Sequence, residues 1–126
     1  MPAFRLASST LVLVLGSVVL NNVRAQDASA GQKLFVRDCG VCHSPKPGQN
    51  LVGPSLFSVL NRHSGQIAGF HYSDANRNSG LTWNTPTLDR YLTAPRELVP
   101  GTKMTFPGLK DPKQRADVIA YLATLQ

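Results

Sequence analysis

Apolar positions recur at helical spacing in three separate stretches of this chain. The first predicts a helix from about Ser29 to the Cys39 region, with Leu34 and Phe35 on its apolar face. Ser29 reads as its N-cap, and Gln32, three residues on, completes a capping box. Gly31 leaves room for a second backbone to come close. The next helix starts where Thr85 caps and Pro86 takes the first helical position. Leu88, Tyr91 and Leu92 share one of its faces, and Pro95 ends it. The last helix has Asp111 as cap, with Pro112 and Gln114 in its first turn. Val118, Ile119, Leu122 and Leu125 form its apolar stripe, with Tyr121 beside them. A short helix is also expected near Ser73 to Arg77. Between these elements, Ser44 to Pro54 is too rich in proline, glycine and asparagine for regular structure. Leu56 to Leu60 and Ile67 to Phe70 are short apolar pieces, and Pro100 to Gly108 is a loop bracketed by helix breakers. No strand alternation, repeat or low-complexity run is visible. The pattern predicts an all-α fold of several short helices.

The N-terminus has a different character. Arg5 lies in a short leading segment, Thr10 to Leu20 is mostly apolar, and Val23-Arg24-Ala25 offers small residues suited to cleavage. The apolar run is shorter than the ~20 residues a membrane-spanning helix needs. Residues 1–25 are therefore expected to be a secretory signal peptide, and 26–126 a single domain; an uncleaved anchor is the alternative. Cleavage would remove Arg5 and Arg24, taking the basic count from 13 to 11 against 7 acidic residues and the formal charge from +6 to +4. That balance does not make a nucleic-acid binder, because acidic residues are interleaved and export removes the opportunity.

Export raises the question of what the two cysteines do. Cys39 and Cys42 are too close in sequence to staple more than a trivial loop. On a helical turn, residues three and four apart share a face, so Cys39, Cys42 and His43 can all address one flat ligand. Cys-x-x-Cys-His is the attachment motif of a c-type haem, with two thioether bonds and the histidine on the iron. A structural zinc site needs about four ligands, and no third cysteine is present to complete the usual sets. A thioredoxin-like redox pair would need a surrounding βαβ pattern, which is missing. One covalently bound haem c is the cofactor expected.

The second axial position decides between chemistries. An open site permits gas or peroxide reactions, whereas a closed one favours electron transfer. Besides the initiator, Met104 is the only methionine. It stands in a proline- and glycine-bounded loop suited to presenting a thioether, and Met/His ligation raises the iron's reduction potential. His63 and His71, in the middle loop, are the rival ligands.

With these residues in hand, the chain resembles a class I cytochrome c of the mitochondrial and bacterial carrier branch, over nearly all of residues 26–126. The resemblance runs through Gly31 and Phe35, Gly53-Pro54, Asn61-Arg62, Ser64-Gly65-Gln66, Tyr72, Asn76 and Trp83. It continues through Tyr91-Leu92, Pro95, Pro100 to Met104, Arg115-Ala116-Asp117 and Ile119 to Leu122. It implies the cytochrome c fold, with N- and C-terminal helices packed across each other through Gly31, Phe35, Tyr121 and Leu122. It also implies that the Pro54 carbonyl accepts the second imidazole N–H of His43. Arg62, Tyr72 and Trp83 are expected at the haem propionates, Asn76, Tyr91 and Thr102 in a polar network near the Met104 sulfur, and Phe106 over the haem edge. Lys33, Arg96, Lys103 and Lys110 match basic positions around that edge. Asp38 and Glu97 stand where lysine is usual, and the loop between His43 and Gly53 is about one residue shorter than in the mitochondrial form.

The function this implies is that of a monomeric periplasmic one-electron carrier with no catalytic residues and no stable membrane insertion. Its expected partners are transient: a bc-type complex, a terminal oxidase, a photosynthetic reaction centre or a periplasmic dehydrogenase. Two rival classes are a dedicated haem subunit of one such dehydrogenase, and an enzyme working on peroxide or nitric oxide at an open iron site.

Overall fold

The computed structural model describes residues 25–126, so the expected leader lies outside the described residues except for Ala25. Among the described residues five helices follow one another: α1 (Ala28–Asp38), α2 (Asp74–Arg77), α3 (Thr85–Thr93), α4 (Pro95–Leu98) and α5 (Pro112–Ala123). The described residues contain no strand, only an isolated bridge between His63 and Thr82.

The molecule is organised by α1 crossing α5, the most extensive helix contact. Gly31 makes the crossing possible. A Cβ placed there would lie 1.9 Å from the Asp117 carbonyl oxygen and 3.0 Å from the Tyr121 Cβ, so no side chain fits. One turn on, Phe35 is fully buried and tilts against Tyr121 with ring centroids 5.3 Å apart. Val118, Ile119 and Leu122 complete this part of the core.

A polar clasp closes the same crossing. Asp117 is buried on α5, where it accepts a hydrogen bond from the Asp27 backbone N–H (2.8 Å) and pairs with Lys113 (2.6 Å). Burial pushes the Asp117 carboxyl up, but the Lys113 and Asp27 donors outweigh it and hold the group below the usual carboxylate range.

The helix starts differ from the sequence expectation in two places. Asp27, not Ser29, caps α1, accepting from the N–H groups of Ser29 (2.9 Å) and Ala30 (3.1 Å). Asn84, not Thr85, caps α3, accepting from Thr87 N–H at 3.0 Å. In both cases a side chain that reaches two or three residues forward lies just upstream of the weaker candidate. Asp111 does cap α5, through Lys113 N–H at 2.8 Å.

Pro95 is a start as well as a stop. Ala94 before it is forced extended (φ −158°, ψ 85°), which ends α3, and the proline ring then opens α4. Arg115 fastens this region to α5: its Nε donates to Asp89 at 2.7 Å and its terminal nitrogen to the carbonyls of Leu109 and Lys110. Leu125 lies beyond α5, and its carbonyl accepts from Ser58 N–H at 2.6 Å, tying the chain end to the middle loop.

Candidate haem site

The last turn of α1 runs into the Cys-x-x-Cys-His segment without a break in hydrogen bonding. Cys39 N–H donates to Phe35 O (2.8 Å), and the N–H groups of Cys42 (3.0 Å) and His43 (2.9 Å) both return to Cys39 O. Both thiols are free and half-buried. Burial pushes the Cys39 thiol up to about 11, with the negative charge of Asp38 and the neighbouring Cys42 adding to the effect.

His43 is held from two sides. Its Nδ1 lies 2.7 Å from the Pro54 carbonyl oxygen, which can only accept, so Nδ1 carries the proton. Burial lowers the His43 pKa, with the Arg62 guanidinium adding to the fall and only the Pro54 bond opposing it, which favours neutral imidazole. Nε2 is then the nitrogen with a lone pair for a metal. Gly53 supports the ring from behind: a Cβ there would stand 2.3 Å from His43 Cε1. Gly53 N–H donates to Cys42 O at 2.7 Å, which pins the loop to the motif.

Arg62 is the most unusual polar group nearby. Its terminal nitrogens are taken by the carbonyls of Phe57 (3.0 Å) and Ser55 (3.1 Å), while its Nε is buried with no partner. An orphaned buried donor of this kind is costly and marks a place for an acidic acceptor. Trp83 is joined to this stretch by backbone bonds in both directions, Trp83 N–H to Arg62 O (2.9 Å) and Asn61 N–H to Trp83 O (3.0 Å). Its ring packs on Tyr91 with centroids 4.8 Å apart. Tyr72 accepts from Ile67 N–H at 3.2 Å and meets Phe70 edge-on.

The Met104 thioether has its own polar support. Tyr91 Oη is 3.3 Å from Thr102 Oγ1 and 4.0 Å from Met104 Sδ, while Met104 N–H donates to Thr102 Oγ1 at 3.3 Å. Phe106, also half-buried, packs against the core from the same loop. Asn76 bonds to three serines around α2. Ser73, the N-cap of α2, donates to its Oδ1 at 2.8 Å, and its carbonyl takes the hydroxyls of Ser64 and Ser79. Of the rival histidines, His63 is exposed and lies 3.0 Å from Thr82 Oγ1, and His71 is exposed. The carbonyls of Ser55 and Phe57 that hold Arg62 could not be read from sequence, because any residue supplies a carbonyl.

Two free thiols beside a neutral imidazole with an open nitrogen, together with an orphaned guanidinium N–H, fit an iron macrocycle bearing acidic groups. This donor set defines a covalent haem protein. Residues 28–126 match the family described as cytochrome c, and the chain belongs to that family, as a class I cytochrome c. It is 56% identical over 100 residues to cytochrome c2 of Rhodoblastus acidophilus, a match spanning 79% of this chain and 92% of that protein. It is 46% identical over 100 residues to cytochrome c of Euglena viridis, spanning 79% of this chain and 98% of that one. Among solved structures, cytochrome cH from Methylobacterium extorquens superposes with a TM-score of 0.73 at 46% identity, covering 78% of this chain and 98% of that one. The fold is therefore the all-α cytochrome c fold. The chain carries one covalently bound haem c and acts as an electron carrier, not as an enzyme.

Proposed function

We propose that this chain is an exported, periplasmic electron shuttle whose haem is fastened through Cys39 and Cys42, with His43 and Met104 as the axial iron ligands. In this reading residues 1–25 are a cleaved leader and 26–126 the single haem domain. When bound, the haem supplies the one-electron couple between ferric and ferrous iron. The protein's part is to keep that couple fast and correctly poised.

The observation that carries the reading is the pairing of a fixed, neutral His43 with a thioether held by its own hydrogen-bonded neighbours. Pro54 fixes the His43 tautomer and raises its basicity. Tyr91 and Thr102 hold the 102–104 backbone and point a hydroxyl toward the Met104 sulfur. Both ligands are set before the iron changes charge, so little reorganisation accompanies the transfer. Arg62, Tyr72 and Trp83 are assigned to the propionates on the strength of the Arg62 Nε without a partner. Phe106 is assigned to the haem edge and Asn76, with Tyr91 and Thr102, to the polar surroundings of the Met104 sulfur.

Partners in this role bind weakly and leave quickly, through interfaces below ~1,200 Å². A bc-type complex, a terminal oxidase, a reaction centre or a periplasmic dehydrogenase all fit. Lys33, Arg96, Lys103 and Lys110 would speed encounter with acidic surfaces more than they tighten the complex. No helix among the described residues is long and apolar enough to cross a membrane.

The test is the purified holoprotein's ferric absorption spectrum, measured with and without peroxide, and its ferrous spectrum with and without carbon monoxide. A sulfur-to-iron charge-transfer band unchanged by peroxide, with no carbon monoxide adduct, is the result expected. Ready binding of either ligand would overturn the closed-site reading.

A further inference from the structure

The peptide unit that receives the His43 proton is hydrogen-bonded at its other end as well. Its carbonyl belongs to Pro54 and takes the Nδ1 proton at 2.7 Å, while its N–H belongs to Ser55 and donates to Asn50 Oδ1 at 3.0 Å. In a trans peptide these two groups point opposite ways. The Asn50 amide then passes the direction on, its Nδ2 donating to the Ala68 carbonyl at 3.3 Å. Ser55 N–H can only donate and Ala68 O can only accept, so the partners fix which way the Asn50 amide faces. Three bonds therefore run head to tail, from His43 through one peptide and one side-chain amide to the 66–70 loop.

Ser55 is anchored independently of Asn50. It is 1% exposed, its Oγ donates to Lys46 O at 2.6 Å and accepts from Phe57 N–H at 3.2 Å, and its carbonyl holds Arg62 at 3.1 Å. What Asn50 adds to this peptide is polarity more than place. Bonds in such a chain polarise one another. Drawing the Ser55 proton toward Asn50 leaves more negative charge on Pro54 O, which pulls harder on the Nδ1 proton. The imidazole gains basicity and favours the ferric state.

We propose that Asn50 is a positioning residue for electron transfer, which lowers the reduction potential by polarising the Pro54–Ser55 peptide against His43. The inference rests on His43 being an axial ligand and deepens that reading. It gives the chain a lever opposed to Met104, whose sulfur raises the potential.

Redox titration of the holoprotein, with magnetic resonance of the His43 Nδ1 proton in the ferrous state, would compare wild type with Asn50→Leu and Asn50→Asp. Leucine keeps the size and loses both bonds. Aspartate keeps and strengthens the acceptor toward Ser55 N–H but loses the donor toward Ala68. Gln49→Glu adds the same charge one residue away, where the bond from Ser44 Oγ survives, and serves as the charge control. At a fixed solution potential, Asn50→Leu should raise the ferrous-to-ferric ratio roughly two- to fivefold. Asn50→Asp should lower it by more than Gln49→Glu does. The Nδ1 proton signal should move upfield in the first and downfield in the second. Shifts of the same sign in both Asn50 variants would assign the effect to the lost Ala68 tie and overturn the proposal. If Asn50→Leu loses the sulfur-to-iron band, Asn50→Asp decides alone, and a potential no lower than that of Gln49→Glu overturns the proposal. A wild-type His43 ring without haem ring-current shifts would instead refute the ligand reading, and the proposal with it.

Discussion

His43 donates its Nδ1 proton to the Pro54 carbonyl across 2.7 Å, and Gly53, the residue before that proline, lies flat against the same ring. One short loop thus fixes both the tautomer and the tilt of the imidazole. The loop is itself fixed to the motif by the Gly53 N–H to Cys42 O bond.

Gly53→Ala tests this support. Its methyl would need to occupy a point 2.3 Å from His43 Cε1, so either the ring or the loop must move. Overpacking of this kind costs about 1–3 kcal/mol. For a domain of this size that is a fall of very roughly 4–8 °C in Tm per kcal/mol. Thermal melting of the holoprotein checks it; an unchanged Tm would mean the loop relaxes freely.

Replacing Cys39 and Cys42 together with alanine should leave a chain without covalent haem and largely unfolded. At ~25 cal/mol per Å², a few hundred Å² of buried porphyrin contributes on the order of 10 kcal/mol, comparable with the whole net stability of a domain. Far-ultraviolet circular dichroism decides the point, and a native-like helical spectrum from the haem-free chain would contradict it.

Asp117→Asn should weaken the clasp between α1 and α5. The loss expected is about 1–3 kcal/mol, at the lower end because Lys113 can turn to water. The carboxyl is held below its ordinary value in the folded state, so its contribution is complete above the unfolded pKa of about 3.9 and fades as pH falls through the lower folded value. Below about pH 4 the wild type should lose stability that Asp117→Asn no longer has to lose. Denaturation midpoints at neutral pH and at pH 3 would show the gap between the two proteins narrowing; a constant gap would assign the effect to packing alone.

The architecture was largely legible because its markers are chemical and local. Cys39, Cys42 and His43 sit in one contiguous motif, Met104 is the one methionine among the described residues, and α5 carries Asp111, Pro112 and a clean apolar stripe. The shortfalls have a common cause. The choice of Asp27 over Ser29 and of Asn84 over Thr85 depends on where the chain turns into each helix, which adjacent residues with similar side chains do not announce. The α4 turn was hidden because Pro95 reads equally well as a stop. The pairing of Asp38 with Arg37 was not legible either, since the side chain of a sequence neighbour could equally have pointed away.

The measurement that bears most directly on the central claim is a redox titration of Met104→Ala beside the wild type, with carbon monoxide added to each reduced protein. Met104 is the one thioether among the described residues, and Tyr91 and Thr102 are arranged around it. The variant should keep its haem covalently attached, show a clearly lower reduction potential, and bind carbon monoxide that the wild type excludes. An unchanged potential together with an unreactive iron would mean that Met104 is not the ligand, and would return the sixth position to His63 or His71.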